Sequence, residues 1–271
     1  EDLRRVGHGM AHRIEMLGTG NAFLPHGRHH SLALFDRQHL VDAPPTVLAG
    51  LRRRGYSPAS IQTVFITHVH GDHVFGFPFL LLERKYVSDR EGKSPLLVVT
   101  TPFGQQRLIE LCRLAFPGSL ESMIESIQWN LNSTGTTDDG WRWERFEVHH
   151  EASVEPHGYR FEHVDGASFV HSGDSGPCEP LYEAIERSHY AILDMGFPDW
   201  VPSTHHHKPK DISELSKRTP TPLGLTHTYI DDESPYPTLV EAVFPVFAQH
   251  VRHLRDGDAL IWDGTAWNLE E

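Results

Sequence analysis

Residues 67–73 constrain this chain more than any other segment. They read THVHGDH and follow the apolar run 63–66, so three imidazoles and one carboxylate lie within six residues directly after a predicted buried strand. Imidazole nitrogens together with a carboxylate are ligands for Zn²⁺, and also for Mn²⁺ or Fe²⁺. A strand that ends in a turn at Gly71 can direct successive side chains to one point. The segment therefore predicts a metal site rather than a solvated patch of histidines.

Strands and helices alternate along the rest of the chain. Apolar alternation and β-branched runs predict strands at 12–17, 31–35, 62–66, 96–99, 142–149, 158–163, 167–171, 190–194, 222–226, 250–254 and 258–263. One-sided apolar spacing predicts helices at 44–54, 103–115, 178–188, 209–218 and 237–249. We expect the last two strands to pair with each other through a tight turn at Asp256 and Gly257. We expect 83–95 and 130–140 to be loops. This alternation predicts an α/β (α+β) sandwich in a single domain over residues 1–271.

Charge and hydropathy exclude several classes of partner. The 271 residues carry 24 Lys and Arg against 37 Asp and Glu, a formal net charge of −13, whereas nucleic-acid binding depends on clustered Lys and Arg. No run approaches eighteen apolar residues, which argues against a membrane span. The polar first ten residues contain no signal-peptide core, which favours the cytoplasm. We therefore expect a small-molecule substrate, no nucleic acid and no membrane, with a homodimer left open.

Several motifs, in order, resemble those of the metallo-β-lactamase fold. Residues 68–73 match its HxHxDH signature, 172–175 (SGDS) resemble the segment that carries a bridging Asp, and 225–227 (LTH) resemble the segment that supplies the last ligand. The opening 17–21 (LGTGN) resembles the first hairpin of the branch that contains ribonuclease Z and the phosphonate-pathway cyclic phosphodiesterase. The resemblance spans about residues 12–263 and implies an αββα four-layer sandwich.

The same resemblance implies two divalent metal ions, with Zn²⁺ as the expected metal and Mn²⁺ or Fe²⁺ as alternatives. The implied ligands are His68 and His70 for the first ion, Asp72, His73 and His227 for the second, and Asp174 for both. One more His is expected shortly before residues 158–160, whose GYR resembles the motif that follows this ligand in the branch. His149 and His150 are adjacent, and on a strand only one of them could face the metal. The spacing in relatives favours His150, and His157 is a weaker candidate.

The implied chemistry is hydrolysis, because two divalent ions ~3.5–4 Å apart can share a water and lower its pKa. Asp72 would orient that nucleophile. The leaving oxygen needs a proton from a group outside the ligand set. In the phosphodiesterase branch, this group is a His in the loop after the strand that ends here near Asp194. His205, His206 and His207 fall in that loop; we choose His206, and a solvated loop of histidines is the alternative.

Several functions remain open on the sequence. Hydrolysis of a small phosphodiester is favoured by the branch-like motifs. Hydrolysis of a lactone, ester or thioester by the same metal centre is the alternative, because the fold serves both reactions. A tRNA 3′-processing endonuclease is disfavoured by the acidic charge and by the absence of a Gly/Pro-rich arm. A non-hydrolytic diiron protein is disfavoured by His70, where redox members of the fold typically carry Glu.

Overall fold

Two β-sheets lie face to face in the computed structural model, which describes residues 11–232 and 245–270. The strands are β1 (Arg13–Gly18), β2 (Leu32–Phe35), β3 (His39–Val41), β4 (Thr63–Phe65), β5 (Leu97–Val99), β6 (Gln128–Asn130), β7 (Thr134–Thr136), β8 (Trp141–Glu147), β9 (His157–His163), β10 (Ser168–His171), β11 (Ala191–Asp194), β12 (Leu223–Thr226), β13 (Val251–His253), β14 (Ala259–Trp262) and β15 (Trp267–Leu269). The helices are α1 (Val47–Arg53), α2 (Gly71–Val74), α3 (Phe77–Glu83), α4 (Pro102–Ala115), α5 (Glu121–Ser126), α6 (Glu179–Glu186) and α7 (Pro209–Arg218).

Each sheet combines a parallel half with an antiparallel half. The first sheet has the order β15-β14-β1-β2-β3-β4-β5-β6, and the second has the order β13-β12-β11-β10-β9-β8-β7. Strands β3 to β6 run parallel in the first sheet, and β10 to β13 run parallel in the second. The carboxyl ends of parallel strands share one edge of a sheet, which is where α/β proteins form their sites.

Side chains that alternate along each strand pack either between the two sheets or against the helices outside them. In β4, Phe65 points into the space between the sheets, whereas Val64 points outward. Phe65 meets Phe161 of the opposite sheet with ring centroids 4.9 Å apart, and Phe35 lies 4.8 Å from the same ring. Offset and edge-on aromatic pairs at such distances add to the stability that burial provides. The space between the sheets is therefore a dry, largely aromatic core.

Helices cover the outer face of both sheets. Apolar residues of α1, α3 and α4 pack on the first sheet, and apolar residues of α6 and α7 pack on the second. Cys112, on the apolar side of α4, is fully buried in the first of these layers. The predicted αββα sandwich is confirmed. No helix within the described ranges has the length and apolar character that a membrane crossing requires.

The predicted pairing of the last two strands is wrong. Asp256 and Gly257 do form a turn, and Gly257 has a φ of +95°. However, β13 pairs with β12 in the second sheet, while β14 pairs with β1 in the first. The turn therefore carries the chain between sheets. Apolar alternation reports that a strand has a buried face, but it does not report which neighbour the strand pairs with.

The two predicted loops also contain regular structure. Residues 84–88 continue α3 as a turn of π-helix. Arg84, at its start, is fully buried and donates hydrogen bonds to the carbonyls of Pro58 (2.6 Å) and Ile61 (2.9 Å). The segment 130–140 contains β7, which pairs with β8. Most of the predicted helix 237–249 lies outside the described residues, and its last part, 245–249, is not helical.

Candidate metal centre

The predicted ligands meet at the edge where parallel strands of both sheets end. The segment after β4 carries His68, His70, Asp72 and His73, so these four come from the first sheet. Asp174 follows β10 and His227 follows β12, so these two come from the second sheet. The sheets are held together beside this edge, because the Tyr159 hydroxyl donates to the carbonyl of Ile66 (2.8 Å) and the His157 amide donates to that of Thr67 (2.9 Å).

One ligand set contains His68, His70, His150 and Asp174, whose ligand atoms all lie within 4.8 Å of one another. His70 Nδ1 lies 3.1 Å from His68 Nε2 and 3.1 Å from His150 Nε2. Two nitrogens bound to one tetrahedral Zn²⁺ would lie about 3.4 Å apart. The spacing therefore suits a single cation between these rings.

The second set contains Asp72, His73, Asp174 and His227, again within 4.8 Å. His227 Nε2 lies 3.2 Å from an oxygen of Asp72 and 3.2 Å from an oxygen of Asp174. His73 Nε2 lies 3.3 Å from His227 Nε2 and 3.2 Å from the other Asp174 oxygen. The buried Asp174 carboxylate belongs to both sets, which is the arrangement that a bridging ligand requires.

Hydrogen bonds fix which ring nitrogen each histidine presents. The Nδ1 of His73 donates to Asp42 (2.8 Å), that of His68 to the Thr67 hydroxyl (2.9 Å), and that of His150 to the His205 carbonyl (2.8 Å). Each ring therefore directs its Nε2 towards the cluster. Metal-ligating histidines almost always donate their other N–H in this way. The donor set thus fits divalent metal ions.

The carboxylates of the cluster are ionised because positive charge lies beside them. Burial opposes ionisation of Asp174, but the neighbouring imidazoles of His227 and His73 outweigh it and hold the pKa of that carboxyl well below its usual range. Burial likewise opposes protonation of His227, yet Asp174, Asp194 and Asp72 raise its pKa to about 10. Burial dominates at His68 and lowers its pKa well below the ordinary value. The carboxylates are therefore anionic in a buried place, where positive charge must compensate them.

Asp42 supports the ligand set, a role that the sequence reasoning did not assign to it. Its carboxylate accepts hydrogen bonds from His73 Nδ1 (2.8 Å), the Thr67 amide (2.8 Å) and the Thr67 hydroxyl (2.8 Å). Its φ of +71° lies in the left-handed region, which a non-glycine residue adopts only when its surroundings enforce it. A carboxylate directly after the apolar strand β3 was the signal that could have identified it.

Asp194, at the end of β11, joins a ligand to a second candidate group. One of its oxygens accepts from His206 Nδ1 (2.6 Å), and the other lies 3.3 Å from His227 Nδ1. The rings of His206 and His227 are stacked, with centroids 5.3 Å apart and an interplanar angle of 7°. The two imidazoles are therefore held side by side by one carboxylate.

The three consecutive histidines of the loop after β11 have different environments. His206 lines the cavity above the ligand sets. His207 is fully buried and donates from Nδ1 to the carbonyl of Ser175 (2.6 Å). His205 lies beside His149, with ring centroids 5.5 Å apart. Among these three, His206 is the residue that the structure places over the site.

The structure separates the two adjacent candidates for the remaining ligand. His150 is buried in the first set, whereas His149 lies 3.1 Å from the Thr204 hydroxyl through Nε2. His157 donates from Nδ1 to the carbonyl of Glu155 and is not in either set. Strand alternation is not the reason for the separation, because β8 ends at Glu147. His149 instead takes part in an isolated bridge, in which the Gly176 amide donates to its carbonyl (2.8 Å).

Replacing His150 with Ala is expected to lower the metal content of the protein, because one nitrogen of the first set is removed. Replacing His149 with Ala should leave the metal content near that of the wild type. Elemental analysis of both proteins after gel filtration checks this. The opposite result would assign the ligand to His149.

A cavity of about 270 Å³ opens above the two sets. Its floor contains His70, Asp72, Asp174 and His227, and two aromatic residues, Phe23 and Phe197, also line it. Phe23 is 68% exposed. Phe197 packs edge-on against His206, with centroids 4.6 Å apart. The arrangement combines a polar, metal-binding floor with apolar walls.

Comparison with known proteins finds a matching family model and relatives in sequence. Residues 12–250 match the family described as "Anti-Pycsar protein Apyc1". A protein of that name from a Paenibacillus species is 39% identical over 92 residues, which are 33% of this chain and 36% of that protein. Ribonuclease Z of Methanosarcina acetivorans is 22% identical over 82% of this chain and 90% of its own length.

The fold has relatives among solved structures. The metallo-β-lactamase fold protein YhfI from Bacillus subtilis has a TM-score of 0.68 and 17% identity, and the match covers 93% of this chain and all of that chain. The resemblance that the sequence motifs indicated, to this fold and to its ribonuclease Z branch, is confirmed.

Proposed function

The chain belongs to the family of anti-Pycsar protein Apyc1, and from this membership we propose that it is a phosphodiesterase that hydrolyses cyclic nucleotides. It is a metal-dependent hydrolase of the metallo-β-lactamase fold. The observation that carries the proposal is the pair of ligand sets that share Asp174 beneath one cavity. Paired metal ions suit the displacement of one oxygen by another at phosphorus.

We assign seven residues to the metal ions. His68, His70 and His150 would hold the first ion, Asp72, His73 and His227 the second, and Asp174 both. Zn²⁺ is the proposed metal, because imidazole nitrogens dominate the donor set. When bound, two such ions would polarise the phosphoryl oxygens and lower the pKa of a bound water molecule.

The residues of the chain supply the other parts of the reaction. Asp72 lies in the floor of the cavity, where its carboxylate can orient the attacking water. That water would release a proton to solvent and form a bond to phosphorus as the bond from phosphorus to the ribose oxygen breaks and opens the ring. His206 donates a proton to the departing oxygen, while the hydrogen bond between its Nδ1 and Asp194 (2.6 Å) leaves Nε2 for the substrate.

The size and charge of the site favour a small substrate. The cavity of about 270 Å³ lies just below the range of ~300–1,000 Å³ typical of drug-sized ligands. Phe23 and Phe197 can contact an apolar sugar face or base, and such stacking contributes ~1–3 kcal/mol per base in nucleic-acid complexes. The net charge of −13 disfavours a long RNA.

A substrate panel tests the proposal. Zn²⁺-loaded protein is incubated with 3′,5′-cyclic nucleotides carrying pyrimidine and purine bases, a precursor tRNA, a lactone and a thioester, and products are separated by chromatography. We expect ring opening of a cyclic nucleotide to a nucleoside monophosphate at the highest kcat/KM. Higher kcat/KM for the lactone or thioester would favour the alternative hydrolase, and cleavage of the precursor tRNA alone would favour a processing nuclease.

A further inference from the structure

A second group of metal-ligand type lies at the opposite end of the sandwich. It contains His12, His163 and Asp165, whose ligand atoms lie within 4.8 Å of one another. His12 precedes β1, which runs towards the residues that line the cavity. His163 ends β9, which begins beside the metal centre at His157. The group is therefore separated from the metal centre by the length of the strands.

The atoms of this group converge closely. His12 Nε2 lies 3.0 Å from His163 Nδ1 and 2.9 Å from one oxygen of Asp165. His163 Nδ1 lies 3.0 Å from the other oxygen of Asp165. Two nitrogens and a carboxylate thus face a common point, and the Asp165 side chain is 46% exposed, which leaves a route for an ion from solvent.

The other nitrogen of each ring is already occupied. His163 Nε2 must carry a hydrogen, because it bonds to the carbonyl of Asp139 (2.8 Å), which can only accept. His12 Nδ1 donates to Asp36 (2.7 Å), a carboxylate that also accepts from the Trp141 indole (2.8 Å) and the Arg13 amide (3.0 Å). His12 Nε2 and His163 Nδ1 are therefore the nitrogens that face the Asp165 carboxylate, and the Asp165 amide also approaches His163 Nδ1 at 3.3 Å. Carbonyl and carboxylate partners of this kind orient metal-ligating histidines in proteins.

Without a metal ion, a proton on His12 Nε2 has to serve both the Asp165 carboxylate (2.9 Å) and His163 Nδ1 (3.0 Å). A proton on His12 Nε2 can be directed well at only one of its two partners. A divalent ion contacts all three atoms together. We propose that His12, His163 and Asp165 bind a divalent cation of the Zn²⁺ class, with water in the remaining position.

The proposed ion would connect the two sheets. His12 is attached to β1 of the first sheet, and His163 and Asp165 belong to the β9–β10 hairpin of the second. An ion that binds only the folded chain stabilises it by mass action. At about 100 times the Kd, the melting temperature should rise by about 5 °C for a chain of this size. The function of the site is thus structural.

Metal counting tests the proposal apart from any activity. Protein loaded with Zn²⁺ and passed through gel filtration should contain one ion fewer per chain in His163→Gln than in the wild type, with turnover within about twofold of it. His189→Gln is the matched control: His189 contacts Ser168 (2.8 Å) away from the group, and this variant should keep the wild-type count. The double variant His68→Ala/His227→Ala, which removes the main centre, should retain one ion whether or not the wild type hydrolyses a cyclic nucleotide.

A second variant covers the case in which His163→Gln fails to fold. Asp165→Asn keeps the amide oxygen that can accept from the Ala167 amide (3.0 Å), so the turn is preserved while the anionic ligand is lost. It should bind this Zn²⁺ at least about tenfold more weakly and lose most of the 5 °C gain, as expected when a ligand or its support is removed. Equal Zn²⁺ content in the wild type and in the variants that fold, or no retained ion in the double variant, would overturn the proposal.

Discussion

Replacing Asp174 with Ala is expected to lower kcat/KM for a cyclic phosphodiester by about 10³-fold or more, and to remove the second metal ion preferentially. The carboxylate lies in both ligand sets, so its loss disturbs both ions. Metal stabilisation of the developing charge contributes several kcal/mol, and each ~1.4 kcal/mol is a factor of ten in rate. Steady-state kinetics and elemental analysis of the same protein batch measure both effects.

Two controls separate this effect from unfolding. Asp138→Asn changes an exposed Asp in the turn between β7 and β8, far from the centre, and should retain wild-type kinetics and metal content. Circular dichroism should show that the Asp174→Ala protein keeps its secondary structure. Activity within about tenfold of the wild type would contradict the bridging role of Asp174.

Replacing His206 with Ala is expected to lower activity most on substrates with a poor leaving group. General acids contribute roughly 10²–10⁴-fold, and an alkoxide needs this help whereas nitrophenolate scarcely does. We therefore expect a loss of about 10²-fold or more on an alkyl phosphodiester and a loss of a few fold on a nitrophenyl one. Metal content should not change, because His206 contacts the ligand His227 by stacking and is not itself in our seven-residue assignment.

His205 provides the matched control for this experiment. Its ring lies beside His149 and edge-on to His150, with centroids 5.5 and 5.6 Å away. The hydrogen bond that orients His150 comes from the backbone carbonyl of His205, which His205→Ala retains. This variant should behave like the wild type on both substrates. Equal losses of activity on both substrates for His206→Ala would indicate a role in binding or structure. No loss on either substrate would contradict the proton-donor role and favour the alternative of a solvated loop of histidines.

The parts of the site that the sequence predicted are those that short spacings encode. His68, His70, Asp72 and His73 follow one strand within six residues, so their proximity requires no knowledge of the fold. Asp174 and His227 could be placed beside them only through the resemblance to a known family. The choice of His150 over His149 rested on strand alternation and on the spacing in relatives, whereas both residues lie beyond the end of β8, beside an isolated bridge between His149 and Gly176.

The parts that the sequence did not predict depend on contacts between distant segments. Asp42 and Asp194 each lie at the end of an apolar strand, a position that does not by itself indicate a function. Only the folded arrangement brings each carboxylate within hydrogen-bond distance of an imidazole. Arg84 lies in a charged segment that suggests a loop. Its guanidinium is nevertheless buried and donates hydrogen bonds to three backbone carbonyls. Pairing partners and buried polar contacts of this kind are tertiary properties that local pattern does not determine.

Because the ligands come from both sheets, the order in which the chain can fold and load metal is constrained. The first four ligands are complete when residue 73 has been synthesised, but His227 emerges from the ribosome more than a hundred residues later. Contacts this far apart in sequence form late, since closing the intervening chain has an entropic cost that nearby contacts do not have. Full metal uptake should therefore mark the end of folding rather than begin it. A nascent or truncated chain that ends before β12 holds an incomplete set of ligands, however much metal the cell provides.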